Sequence, residues 1–250
     1  MHKLMLVAAA TMVAALAVVG VASAVDATQA IDVKITNNKA GTKEKPKSIG
    51  KLNVVTTTAP GVGSPAGTFA TTKATIFFDK NLVFNAKAFK ECKPSNKSAP
   101  VGSEVKSKCA SAKIGGGTAA AKATVGDQEN LTVTAYNGSA TANPANRWFY
   151  LHVQGTTPLV IDSVIAATLK RATGDYGYKL EVPIPANLVT PLAGITATLL
   201  NFSTSVSGTA KGLPYIGIKG CSGGKLKFKG TFIYTDGTSK TATDTATCKK

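Results

Sequence analysis

Apolar and polar residues alternate along most of this chain in short runs that turn-forming residues separate. In residues 225–234 (KLKFKGTFIY), Leu226, Phe228, Phe232 and Tyr234 share one face, and the other face carries Lys225, Lys227, Lys229 and Thr231. A period of two is typical of a β-strand that covers a core with one face. Eleven segments show this alternation and are predicted strands: 31–36, 51–58, 73–79, 118–125, 131–136, 148–154, 159–170, 178–182, 195–206, 226–235 and 240–248.

Helical periodicity is weak throughout, and the best short helix candidate is NAKAFKEC at residues 85–92. So many short strands favour an all-β fold, either an antiparallel β-sandwich, which we expect, or a closed β-barrel as the alternative. We expect one domain over residues 25–250. A boundary near residues 207–214 (SGTAKGLP), which would make two domains, is the alternative.

The amino-terminal residues predict export. A short basic start is followed by an uncharged apolar run, and Ala22-Ser23-Ala24 then supplies the small residues that signal peptidase accepts. Residues 1–24 are therefore interpreted as a signal peptide, with an uncleaved membrane anchor as the alternative. We expect the protein outside the cell, either secreted into the medium or associated with the cell envelope.

Export changes the interpretation of the four cysteines, since an oxidising compartment favours disulfides. The cysteines form two local pairs, and the spacing favours Cys92 with Cys109 and Cys221 with Cys248. A metal site is the alternative, but there is no C-x-x-C motif and His152 is the one histidine left after processing. We predict neither a metal site nor a cofactor.

Several longer stretches, among them FNAKAFKEC, SEVKSKCASAKIGGGTA, YGYKLEVPIPANL and KFKGTFIYTDGTSKTATDTATC, resemble a group of secreted actinobacterial proteins of unknown activity. The resemblance spans most of the chain after residue 24. It implies an exported, disulfide-bearing β protein, and it carries no functional residue over to this sequence.

The stretch GCSGG at residues 220–224 is similar to motifs around the nucleophile of serine hydrolases. Such a serine needs a base and an acid. The order His152, then Asp162 or Asp175, then Ser222 matches that of chymotrypsin-like proteases, but His152 lies in the middle of a predicted strand. We therefore expect no catalytic residues and no enzyme activity, and a secreted hydrolase is the least favoured function.

The glycines beside Ser222 have a structural explanation. Asp236-Gly237 predicts a two-residue type I′ turn, which would place Lys229 opposite Asp244 and Cys248 opposite Lys225. Cys221 must then approach Cys248 through a turn at Gly223 and Gly224, which glycine allows.

Charge supplies the main functional indication. The formal net charge is +16, and all but two of the 29 basic residues are lysine. Lysines concentrate at residues 34–51, 87–113 and 211–250. A diffuse lysine field suits non-specific attraction to a polyanion, so we expect a non-catalytic protein held on anionic cell-wall polymers or polysaccharides. A structural subunit of a surface assembly is the alternative; sequence-specific binding of nucleic acid is not expected.

One stretch, RWFYLHV, offers a candidate binding site. Strand alternation places Phe149, Leu151 and Val153 on a core face and Trp148, Tyr150 and His152 on the other face. If this second face is open to solvent, its rings could stack on sugars. The alternative is that a loop or a second sheet covers it.

Overall fold

The computed structural model describes residues 27–61 and 69–250, so the predicted signal peptide and its cleavage site lie outside the described residues. These residues contain two short α-helices, α1 (Gly102–Lys108) and α2 (Ala186–Val189), with 3-10 turns at Ala86–Ala88 and Ala110–Ala112. The strands are β1 (Thr28–Thr36), β2 (Lys47–Ser48), β3 (Lys51–Ala59), β4 (Thr71–Asp79), β5 (Leu82–Phe84), β6 (Lys113–Ala123), β7 (Gln128–Ala140), β8 (Arg147–Gly155), β9 (Ile161–Arg171), β10 (Tyr176–Pro183), β11 (Ala197–Val206), β12 (Thr209–Ala210), β13 (Leu213–Pro214), β14 (Ile216–Ile218), β15 (Lys225–Tyr234) and β16 (Ser239–Thr247).

In the described part of the chain, eleven strands form one antiparallel sheet in the order β1-β3-β11-β6-β7-β8-β9-β10-β4-β15-β16. Each of the eleven predicted strands overlaps one of these, so the all-β antiparallel prediction is confirmed. The five shorter strands were not predicted. Strands on both sides of residues 207–214 belong to this same sheet.

The two edge strands of the sheet, β1 and β16, come together. The amide of Val33 donates to Oδ2 of Asp244 at 2.7 Å, and the amide of Ala40 donates to the carbonyl of Lys249 at 2.7 Å. The first and the last of eleven antiparallel strands run in the same direction. The bridge between Lys39 and Lys249, which lies just past the ends of these two strands, is accordingly parallel. The sheet is thus nearly closed into a barrel. This architecture is the alternative given above, and it takes the place of the expected sandwich.

The two ends of the barrel differ. We call the end at which β1 finishes and β3 starts the capped end, because the small sheet β2-β14-β5 lies there. Leu82, Ile216 and Ile218 of this small sheet are fully buried, as is the adjacent Tyr215. Apolar side chains therefore fill the capped end. The opposite end, where β1 starts and β3 finishes, is called the open end.

Residues 85–112, the cover segment, pack against the outside of β7, β8 and β9. Cys92, Val105 and Cys109 from this segment are buried with Tyr150 and Val164 in a second, smaller core. The helix predicted at residues 85–92 is only a single 3-10 turn, whereas an unpredicted α-helix, α1, lies later in the segment.

Both predicted disulfides are present. Cys92 is bonded to Cys109 with a Cα–Cα distance of 4.7 Å, and Cys221 is bonded to Cys248 with a Cα–Cα distance of 5.8 Å. The first bond ties the cover segment together, and the second joins the start of the last hairpin to its end. Within the residues that the structure describes, no helix has the length and apolar character needed to cross a membrane.

The predicted register of the β15–β16 hairpin is wrong by one residue. Lys229 lies opposite Thr243, and Lys225 lies opposite Thr247. The loop has three residues rather than two: the amide of Tyr234 donates to the carbonyl of Thr238 at 3.0 Å, and Gly237 has a φ of 80°. A left-handed glycine as the last of three loop residues is an established hairpin geometry.

This shift explains how the barrel closes. A slip of one residue exchanges the two faces of a strand. Asp244 therefore does not pair with Lys229 but accepts the Val33 amide of β1. The ammonium of Lys229 instead lies over the ring of Phe77, 4.2 Å from its centroid.

Candidate functional site

Ser222 lies in an exposed turn before β15. Gly223 and Gly224 have φ values of 64° and 71°, and the Cys248 amide donates to the carbonyl of Gly224 at 2.9 Å. A left-handed backbone favours glycine at both positions. The glycines therefore turn the chain toward the disulfide partner, as expected from the sequence.

His152 and Asp162, the other members of the hypothetical triad, do contact each other. Nε2 of His152 bonds to Oδ1 of Asp162, and the histidine side chain is only 1% exposed. Strand β8 is four strand positions from β15 in the sheet, roughly 19 Å along the sheet at about 4.8 Å per strand. The His152–Asp162 pair therefore lies apart from Ser222, and it joins a buried histidine to an exposed aspartate.

The aromatic row of β8 does not face solvent. Phe149, Leu151 and Val153 lie in the barrel core as predicted, but Tyr150 and His152 on the other face are also buried. Trp148 is partly buried and stacks on Tyr150 with ring centroids 6.3 Å apart. The structure therefore has the covered face, the alternative given above, and of the three residues only Trp148 is partly exposed.

A cavity of about 150 Å³ occupies the interior of the barrel. Phe84 and Ile216 of the capped end form its floor, and Thr71 and Ile184 mark its wall near the open end. Its wall is almost entirely apolar, and none of the described residues that line it carries a charge. The sequence predicts the apolar face of each strand but not this space, because the space depends on how the sheet curves.

The polar lining of the cavity consists of one glutamine and four threonines. Near the open end, Oε1 of Gln29 accepts hydrogen bonds of 2.8 Å from the hydroxyls of Thr58 and Tyr234. Burial, with a smaller contribution from the nearby charge of Asp236, raises the pKa of Tyr234 to about 12. Tyr234 therefore keeps its proton and acts as a donor at neutral pH, and this cluster is internally satisfied.

Thr204 differs from that cluster. It lines the cavity from β11, is 9% exposed, and its hydroxyl has no hydrogen-bond partner among the described residues. A buried hydroxyl without a partner is costly.

A basic surface lies at the capped end. Two lysine-rich regions that are far apart in the sequence meet there, because residues 39–41 pair with Lys249 and with Ile218. Nine exposed lysines form this surface, which we call the basic end: Lys34, Lys39, Lys43, Lys45, Lys47, Lys51, Lys225, Lys249 and Lys250. Within the described residues only Lys34 of this set forms an ion pair, with Asp32 at 3.5 Å.

Both arginines of the chain, Arg147 and Arg171, line a second cavity of about 380 Å³ beside the cap. Arg147 pairs with Glu91, and Arg171 lies 4.3 Å above the ring of Tyr178. Partial burial alone would raise the pKa of Glu91, but hydrogen bonds from Arg147 and Lys93 outweigh it and lower that pKa. Glu91 is therefore ionised and neutralises Arg147, whereas Arg171, near the basic end, forms no ion pair with any residue that the structure describes.

We found no family model, no curated protein and no solved structure that matches this chain. The sites described above are therefore interpreted from their own geometry and chemistry.

Proposed function

We propose that this chain is an exported, non-catalytic binding protein that its basic end holds on anionic polymers of the cell envelope. The observation that carries the proposal is the meeting of two lysine-rich regions in one surface. Eight of its nine lysines form no ion pair among the described residues, so their charge is available to a partner. Lysine ammonium groups attract phosphate or carboxylate polymers as point charges, without requiring a particular geometry.

The distribution of lysines along the strands supports a defined orientation. Toward the capped end the strands carry Lys34, Lys51 and Lys225, and the chain between β1 and β3 adds further lysines. Lys73 and Lys122 are examples from the other end of the sheet, where lysines are sparser. A flat anionic surface would therefore attract the capped end first, and the open end would face away.

Two further observations bear on the choice among functions. The disulfides are consistent with export, since such bonds persist in oxidising compartments. Assembly of copies through free sheet edges, the route expected for a structural subunit, is less favoured because β1 and β16 contact each other.

The experiment is a pull-down of residues 25–250 on wall fractions of the producing organism, with elution by a NaCl gradient. Electrostatic screening falls to about 3 Å in 1 M salt, so molar NaCl should release the protein. A triple variant of Lys43, Lys45 and Lys47 to Gln should elute at clearly lower salt.

The matched control changes three exposed lysines elsewhere, Lys73, Lys97 and Lys106, to Gln. It has the same net charge as the first variant and should elute close to the wild type. Equal shifts for both variants would mean that overall charge, not the basic end, determines retention. Binding that survives 1 M NaCl would contradict the electrostatic proposal.

A further inference from the structure

The barrel cavity has the size of a small-ligand site. Protein interiors rarely contain voids larger than a water molecule, yet this cavity measures about 150 Å³. An apolar cavity of about that volume is enough to bind benzene. The interior of this barrel can therefore hold an apolar group of about that size.

The wall of the cavity determines the charge of the occupant. No charged side chain lines it within residues 27–61 and 69–250, so a carboxylate or an ammonium group would lose its hydration without gaining a partner. That loss makes burial of an unpaired charge strongly unfavourable. A neutral, mostly hydrocarbon molecule is the class that this wall accepts.

The cavity is also accessible from one end. Ile184, Ala197 and Leu199 line it near the open end, yet they are only partly buried. Leu188 of the short helix α2 also contributes to the wall and is partly buried. By contrast, Leu82, Tyr215 and Ile218 at the capped end are fully buried. The entry route is therefore at the open end.

One polar group adds specificity. Thr204 is one of the residues that line the cavity, and its buried hydroxyl has no hydrogen-bond partner among the described residues, whereas the Gln29 cluster is satisfied by its own members. A ligand oxygen placed beside Thr204 would supply the missing partner.

From the cavity, its uncharged wall and this unpaired hydroxyl, we infer that the barrel binds a small neutral hydrocarbon molecule bearing one oxygen, a phenol or a simple alcohol, with that oxygen bonded to Thr204. The inference does not rest on retention at the basic end. The two are compatible, because attachment through the capped end leaves the open end free.

The test uses three probes of one shape: p-cresol, toluene and p-toluate, with binding to residues 25–250 measured by saturation-transfer NMR and titration. Toluene should bind, and p-cresol should bind roughly fivefold more tightly, the effect of one neutral hydrogen bond. The anion p-toluate should not bind. Thr204→Val, which keeps the shape but removes the hydroxyl, should abolish this preference, so that p-cresol binds no more tightly than toluene.

Matched variants of β6 locate the site. Ala121 lines the cavity and is only partly buried, so Ala121→Leu should fill the space and abolish binding of both neutral probes. The control is Ala120→Leu, whose side chain belongs to the opposite face of the same strand and should leave binding unchanged. If Ala121→Leu does not fold, Ala197→Leu on β11 fills the same cavity from near the open end.

Absence of binding by both toluene and p-cresol at millimolar concentration would overturn the inference. Undiminished binding in a folded Ala121→Leu or Ala197→Leu protein would overturn the location. Equal affinity of the wild type for p-cresol and toluene would overturn the role of Thr204. None of these results would change the salt elution from wall fractions, so this inference and the proposed function fail independently.

Discussion

Replacing the buried Asn137 tests how strand β7 of the barrel is linked to the cover segment and to the capped end. It is completely buried, and its side-chain amide donates to the carbonyls of Ala86 at 3.0 Å and Lys90 at 2.9 Å. Its oxygen accepts the hydroxyl of Tyr215 at 3.1 Å. Burial raises the pKa of Tyr215, so this hydroxyl remains a donor. One side chain thus links β7 to the cover segment and to the cap.

Asn137→Ala should lower the free energy of unfolding by roughly 3–5 kcal/mol, because it leaves buried polar groups without partners at about 1–3 kcal/mol each. Tyr215→Phe removes one of the three bonds and should cost about 1–2 kcal/mol. The double variant should cost less than the sum of the two, since both changes remove the same hydrogen bond.

The assay is guanidinium unfolding with both disulfides intact, followed by far-ultraviolet circular dichroism and by Trp148 fluorescence. Asn130→Ala, an exposed position of the same strand, serves as control and should stay within about 0.5 kcal/mol of the wild type. A loss below about 1 kcal/mol for Asn137→Ala, or strict additivity with Tyr215→Phe, would refute the linkage.

Four further predictions concern charge, disulfides, Ser222 and Trp148. Partial burial alone would raise the pKa of Glu181, but hydrogen bonds from two lysines lower it from 4.5 to about 2. The ionised Glu181 therefore stabilises the folded protein above pH 4.5, and this stabilisation is lost as the pH falls toward 2. The unfolding free energy of Glu181→Gln should accordingly depend less on pH over that window. Peptide mapping without reduction should recover Cys221 linked to Cys248, and replacing both by Ser should cost roughly 3.5 kcal/mol in chemical unfolding; a crossed linkage would contradict the structure. Ser222→Ala should leave the unfolding free energy unchanged, and a fluorophosphonate probe should not label Ser222; labelling would restore the hydrolase hypothesis. Acrylamide should quench Trp148 less than in the unfolded chain, and equal quenching in both states would contradict its packing beneath the cover segment.

Local features that depend on a few neighbouring residues could be predicted from the sequence. Alternation identified every strand of the main sheet, since the period of two follows from the geometry of one strand. The disulfide pairing followed from short separations of 17 and 27 residues. The turn at Gly223 and Gly224 followed from the backbone freedom of glycine.

The hairpin register shows where prediction from the sequence became unreliable. Asp236-Gly237 fits both a two-residue and a three-residue loop, and the two differ by one position in the pairing. The partner that decides between them is the Val33 amide, which binds Asp244 and lies more than 200 residues away in the chain. Local turn chemistry contains no information about such a contact.

By itself the sequence determined the class of the fold, the positions of its strands and the pairing of its cysteines, because each of these depends on neighbours in the chain. Only the tertiary structure decided that β1 meets β16, that the cover segment buries Tyr150 and His152, and that two lysine regions form one basic end. The cavity and the unpaired Thr204 hydroxyl also belong to this second group. The physical reason is that alternation specifies which face of a strand is apolar, whereas the curvature of the whole sheet decides what that face encloses.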